Sequence, residues 1–180
     1  AMRQEVVLDR ALEPAWLDLA LRQAGVPLPT DERRKALEMS LRDRIEALEG
    51  RRKTVRVLSR IWLTPPESSA AMIAWAIEHA PLVRDSRVLH LGALLASQPF
   101  FGNACAIVGR ELSLHQEVQT GDVRRKLRER WGDREIIDVS GRAVVRTLRA
   151  FGALKGVKGD DRSEPGDRLA VDEILRPWLI

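Results

Sequence analysis

Residues 114–169, LHQEVQTGDVRRKLRERWGDREIIDVSGRAVVRTLRAFGALKGVKGDDRSEPGDRL (Leu114–Leu169), decide the fold of the C-terminal half of this chain. His115 to Gln119 reads as a short polar strand. Thr120 opens a charged helix in which Val123, Leu127 and Trp131 recur at i, i+4 and i+8, the spacing of one helical face. After a turn comes a second helix carrying Arg142, Arg146 and Arg149. At about 100° per residue, with Arg142 at zero, Arg146 falls at about 40° and Arg149 at about 340°, whereas Val144, Val145, Leu148 and Phe151 lie between about 180° and 300°. One face of this helix is therefore basic and the other apolar. Asp138 or Ser140 is placed to cap its start, and Gly152 to stop it. Ala153 to Lys158 reads as a strand and Arg168 to Val171 as its return, joined through 159–167, a run rich in Gly, Asp, Ser and Pro. Strand, helix, turn, helix and hairpin in this order spell a winged helix-turn-helix.

Upstream, apolar residues recur at helical spacing between clear breakers. Pro14 suits a first helical turn, Trp16, Leu17, Ala20, Leu21 and Ala24 form a face, and Gly25, Pro27 and Pro29 end that helix. A second helix, capped by Thr30 and with Asp31 and Glu32 in its first turn, extends to about Leu48. A third spans roughly Lys53 to Leu63, and a fourth starts near Ser68 and carries Met72, Ile73, Trp75, Ala76 and Ile77. A fifth, from Asp85, buries Val88, Leu91, Leu94 and Leu95, and a sixth runs from Phe101 to Leu112. The expected architecture is mainly α: an N-terminal helical bundle (1–98) packed against the winged helix-turn-helix (99–180), without a Gly/Ser-rich linker between them.

Charge distribution says more here than total charge. The chain of 180 residues has a net charge of +4. Residues 1–119 hold 16 basic and 15 acidic side chains, residues 120–162 hold 12 and 7, and residues 163–180 hold 2 and 4. The excess lies in the helix-turn-helix region, and a basic face attracts phosphate. A major groove admits one helix, guanidinium groups pair with phosphates or with guanine edges, and a wing reaches the neighbouring backbone. Arg142, Arg146 and Arg149 are the expected groove or phosphate contacts, Arg124, Arg125 and Arg128 the phosphate contacts, and Lys155, Lys158 and Arg162 the wing contacts. Asp133, Glu135, Asp138, Asp160 and Asp161 oppose this by repelling phosphate.

A second basic stripe runs through Arg52, Arg56 and Arg60, in a stretch with no acidic residue between Glu49 and Glu67. Val55, Leu58, Ile61 and Trp62 mark its buried side. The stripe either extends a DNA footprint or pairs with carboxylates of the preceding helix.

Other chemistries leave little trace. Cys105 is the single cysteine, which excludes an intrachain disulfide and a cysteine-only zinc site, and it reads as a small core residue in a reducing cytoplasm. His79, His90 and His115 fall in separate elements without partners at metal-ligand spacing, so no metal or cofactor is expected. There is no glycine-rich phosphate loop and no nucleophile elbow. With no tyrosine and three phenylalanines, a stacking platform for single strands is not expected. The five tryptophans read as core, Trp178 lying outside the helical pattern. No apolar run approaches the roughly 20 residues of a membrane span, and no signal pattern opens the chain, where Ala1 ahead of Met2 reads as a tag remnant. The expected protein is cytoplasmic.

The run Asp138-Val139-Ser140-Gly141-Arg142, leading to Arg146-Thr147-Leu148-Arg149-Ala150-Phe151-Gly152-Ala153-Leu154, resembles the BrxA family of BREX phage-defence systems in its Ser-x-Arg, Arg-x-Leu and Gly-x-Leu pattern. The order of helices resembles that family over most of the chain. This resemblance implies a small, non-enzymatic accessory protein that binds double-stranded DNA and works beside larger defence proteins. The alternative from the residues alone is an adaptor whose winged helix docks an acidic protein; a small enzyme with an unrecognised site is the third reading.

Overall fold

The computed structural model describes residues 8–179, so the reading made at Ala1 and Met2 lies outside the described residues. The protein is mainly helical with one small three-stranded sheet, and the chain forms two compact units. One comprises 14–97 with 169–179, the other 8–13 with 98–168. The stretch 169–179, expected with the C-terminal part, thus belongs to the helical unit, and 8–13 belongs to the other.

The helical unit contains α1 (Pro14–Ala24), α2 (Thr30–Ser40), α3 (Leu48–Trp62), α4 (Glu67–His79) and α5 (Ser86–Ser97). Leu17, Ala20, Leu37, Leu58, Ile61, Trp62, Ile73, Ala76, Leu89 and Leu94 form its core. Two helix boundaries differ from the periodicity. The second helix stops at Ser40 instead of about Leu48, and the third begins at Leu48 instead of Lys53. The cause is Arg51, a buried side chain whose Nη1 donates to the carbonyls of Ile45 and Glu46 at 2.7 Å each. These carbonyls belong to the non-helical segment between the two helices, where no helical ladder pairs them. Thr30 is the first helical residue of α2, not its cap, and its Oγ1 accepts from Arg33. Leu95, expected to be buried, is 48% exposed. At the C-terminal end, Trp178 stacks on Trp75 with ring centroids 6.2 Å apart and its indole N–H donates to the Met72 carbonyl at 2.9 Å. Its burial comes from this tertiary contact and not from helical periodicity.

The second unit is built on α6 (Pro99–His115), β1 (Val118–Gln119), α7 (Thr120–Trp131), α8 (Glu135–Ala150), β2 (Leu154–Gly156) and β3 (Arg162–Pro165). Phe100, Phe101, Ala104 and Val108 of α6 share a core with Val123, Leu127, Ile137, Val144, Val145, Leu148 and Phe151. Leu8 and Leu12 are fully buried, and the Leu12 amide donates to Thr147 Oγ1 at 3.0 Å. The sheet order is β1-β3-β2, antiparallel throughout, with Ser163 opposite both Val118 and Gly156. Cys105 lies largely buried on α6, where desolvation pushes its thiol up to about 12.

Three local features differ from the sequence pattern. His115 ends α6, and the first strand shrinks to Val118–Gln119, because Gln116 adopts a left-handed conformation (φ 61°) that closes the helix. The return strand is Arg162–Pro165 and Arg168 to Val171 form no strand, because the hairpin turns already at Val157–Asp161, through Gly159 at φ 78°. Ser163, central and fully buried, anchors the earlier register. Finally, α8 begins at Glu135, five residues before Ser140, so neither Ser140 nor Asp138 is its cap.

Candidate nucleic-acid interface

Gly132, with φ 93°, ends α7 after its amide reaches the Arg128 carbonyl at 2.8 Å, and α8 starts three residues later. The pair is held close at Gly141: an added Cβ there would stand 3.1 Å from Arg124 Cγ and 3.2 Å from Leu127 Cδ1. At the other end of α8 the Ala153 amide bonds the Leu148 carbonyl and the Gly152 amide bonds that of Arg149, both at 3.0 Å. This double closure is a Schellman arrangement, and it releases the chain into β2. The Thr120 amide and hydroxyl both donate to the Asp161 carbonyl, tying the start of α7 to the hairpin turn.

On this frame the expected contact residues fall into three groups. Arg142 and Arg146 are exposed one turn apart on α8, as the helical angles predict. Arg146 has no ion-pair partner among the described residues, and neither does exposed Lys158 beside the hairpin turn. These two are the freely available cations of the nine expected in this unit.

The second group is engaged by carboxylates. Arg124 grips Asp138 through two hydrogen bonds, one of them Nε to Oδ1 at 2.6 Å, and Arg142 Nη2 donates to Asp138 Oδ2 at 2.7 Å. Arg128 lies 3.8 Å from the same carboxylate. The Arg124 guanidinium, assisted by Arg142, holds the Asp138 carboxyl below the usual carboxylate range. Arg125 bonds Glu129 at 2.9 Å and Asp122 at 3.2 Å, and Lys155 bonds Asp167 at 2.7 Å. Arg162 lies between Asp160, at 2.5 Å, and Glu117, at 3.2 Å, and its guanidinium holds the Asp160 carboxyl down.

The third group is one residue. Arg149, expected to contact DNA, instead donates through Nε to Ser163 Oγ at 2.8 Å and through Nη2 to the Arg162 carbonyl at 3.1 Å. It joins α8 to β3, because the helix end lies against the strand and its side chain is the one long enough to reach the buried hydroxyl.

Sequence reasoning also passed over cations. Arg130 and Arg168 are exposed and without an ion-pair partner among the described residues, and Arg134, exposed in the interhelical turn, reaches no further than the Trp131 carbonyl. Arg130, with Lys126 four residues before it and Arg134 four after, carried the readable signal. Lys126 itself pairs with buried Glu111 of α6.

In the helical unit, Arg52 and Arg56 are exposed on α3 and Lys53 pairs with Glu49 of the same helix at 2.6 Å. Arg60, half-buried, continues their row. His90 and His79 serve local packing. Buried His90 bonds Asp18 at 2.9 Å and stands edge-on to Trp62, His79 stacks on Trp75, and His115 is exposed. Among the described residues no group of His, Cys, Asp and Glu is arranged to hold a metal ion, and no single helix is long and apolar enough to cross a membrane. Comparison with protein-family models, with curated proteins and with solved structures yields no match for this chain.

Proposed function

We propose that residues 98–168 constitute a winged helix-turn-helix that binds double-stranded DNA without catalysing a reaction. In this reading α8 enters the major groove and the 157–161 turn serves as the wing. The observation that carries it is the exposed face of α8, where Arg146, with no ion-pair partner among the described residues, stands one turn from Arg142. Lys158 near the wing tip and Arg130 on α7 add cations ready to meet phosphates. Arg124, Arg125, Arg128, Arg142, Lys155 and Arg162 exchange a carboxylate for a phosphate on binding, so each contributes less than its charge. Arg149 contributes through the fold. The resemblance to the BrxA family adds the role of a cytoplasmic accessory to larger phage-defence proteins. In its pattern Ser140, Leu148 and Leu154 are buried and Gly152 ends α8, so those positions specify packing and leave recognition to the arginines.

Duplex DNA affinity measured across salt concentration tests the proposal. Three phosphates neutralised by free cations predict a slope of log K against log salt of about −3, from roughly −0.9 per phosphate. Arg142→Glu combined with Arg146→Glu abolishes the interaction, while Arg125→Glu weakens it mildly. A flat salt response together with unchanged affinity in the double variant refutes DNA binding. The pairing of so many of these arginines with carboxylates favours one second reading, the docking of an acidic protein, for which the flat DNA response is the expected result.

A further inference from the structure

The helical unit carries its own basic concavity, a groove of about 600 Å³ between α2 and α3. That volume is within the range of small-molecule sites. Arg34 and Lys35 line it from α2, and Arg52, Arg56 and Arg60 line it from α3. Arg34 is held in place by Thr64 Oγ1 at 3.3 Å and by Asp31 at 3.6 Å. Lys35, Arg52 and Arg56 have no ion-pair partner among the described residues. A concave wall with several unneutralised cations is repulsive until an anion occupies it.

A second, independent feature lies among the groove-lining residues. Ser59, on the same side of α3, is 2% exposed, and its Oγ has no hydrogen-bond partner among the described residues. A buried hydroxyl without a partner costs about 1–3 kcal/mol. An acceptor oxygen brought in by a ligand would remove that cost.

We infer that this groove binds a small phosphorylated molecule carrying a diphosphate or longer chain, with Arg52, Arg56 and Lys35 on the phosphates and Ser59 donating to one of their oxygens. Asp31 and Glu38, two turns apart on α2, bracket the cations. They interrupt any continuous track for a nucleic-acid backbone, yet offer acceptors to the hydroxyl or amino groups of a compact ligand. The inference removes Arg52, Arg56 and Arg60 from a DNA footprint, and it stands apart from the winged-helix proposal because it concerns the other unit.

Titration of the full-length protein with pyrophosphate and with ATP, followed by calorimetry and thermal melting at fixed ionic strength, tests it. Saturable binding and a concentration-dependent rise in melting temperature are expected. Arg52→Glu with Arg56→Glu abolishes both. Ser59→Ala weakens pyrophosphate binding about five- to tenfold, while leaving the ligand-free melting temperature unchanged or raised, because it deletes an unsatisfied hydroxyl. Absence of saturable binding, or binding unaltered in the double variant, overturns the inference. So does a double variant that loses duplex DNA affinity when the wild type shows no pyrophosphate binding, since the groove would then be a nucleic-acid surface. Arg142→Glu with Arg146→Glu leaves pyrophosphate binding intact, which separates the two proposals.

Discussion

Asp138→Asn separates stability from binding in the α7–α8 pair. The Asp138 side chain is 14% exposed and accepts the fork of Arg124, which is 27% exposed, together with Arg142, which is 50% exposed. A hydrogen bond to a charged group is worth about 1.5–3 kcal/mol when sheltered, and partial exposure places the Arg124 fork near the lower end. The half-exposed Arg142 pair adds about 0.3–0.5 kcal/mol. Asparagine retains one acceptor oxygen, so the net loss is about 1.5–2 kcal/mol, or roughly 3–8 °C in melting temperature for a chain of this size. The pH dependence has a defined sign. Asp138 titrates below the ordinary aspartate value of 3.8 when folded, so its contribution is complete above that value and disappears as pH falls through the lower, folded one. The gap between wild type and variant is therefore constant from neutral pH to about pH 4 and closes below it. DNA affinity moves the opposite way. Removing one negative charge roughly 10 Å from a phosphate is worth about 0.5–1.5 kcal/mol at intermediate screening, hence about two- to tenfold tighter binding. Thermal melts over a pH series and fluorescence anisotropy with labelled duplex read both effects. An unchanged melting temperature would refute the stabilising network, and weaker DNA binding by a folded variant would refute the idea that Asp138 masks the arginines.

Two further predictions concern the hairpin. Arg149→Ala removes the donors that reach Ser163 Oγ and the Arg162 carbonyl, leaving Ser163 fully buried beside an empty site; urea unfolding should show a loss of about 1–3 kcal/mol, and no loss would return Arg149 to the set of surface contacts. Gly166→Ala would bring a Cβ to 1.9 Å from the Gly152 carbonyl oxygen and 2.6 Å from the Ala153 carbonyl carbon. Both atoms are backbone of the 152–153 segment and not the far end of a flexible side chain, so the substitution should cost more than about 3 kcal/mol or leave the protein insoluble, and a variant with wild-type thermal stability would show that this segment can move away from the α8 terminus.

Helix positions were legible wherever the apolar period ran uninterrupted between breakers. The face of α8 carrying Val144, Val145, Leu148 and Phe151 is buried as the angles predict, with Arg142 and Arg146 opposite. Gly152 ends that helix as expected. Boundaries failed where a side-chain hydrogen bond that the apolar period does not show decides them. Arg51 satisfies the carbonyls that let α2 stop early, and Ser163, bonded by Arg149 and paired with two strands, draws the return strand forward by several residues.

For the candidate site, the amino-acid sequence determined which helix face is basic, because a fixed rotation per residue places Arg142 and Arg146 together whatever surrounds them. It could not determine which cations remain free. Charge pairing depends on which carboxylate comes within about 3 Å after packing: Asp138 faces Arg124 only because Gly141 lets α7 and α8 approach, and Arg149 meets Ser163 only because the hairpin folds back to the end of α8. Residues 14 or so apart in the chain thus settle which arginines hold the fold and which are left exposed.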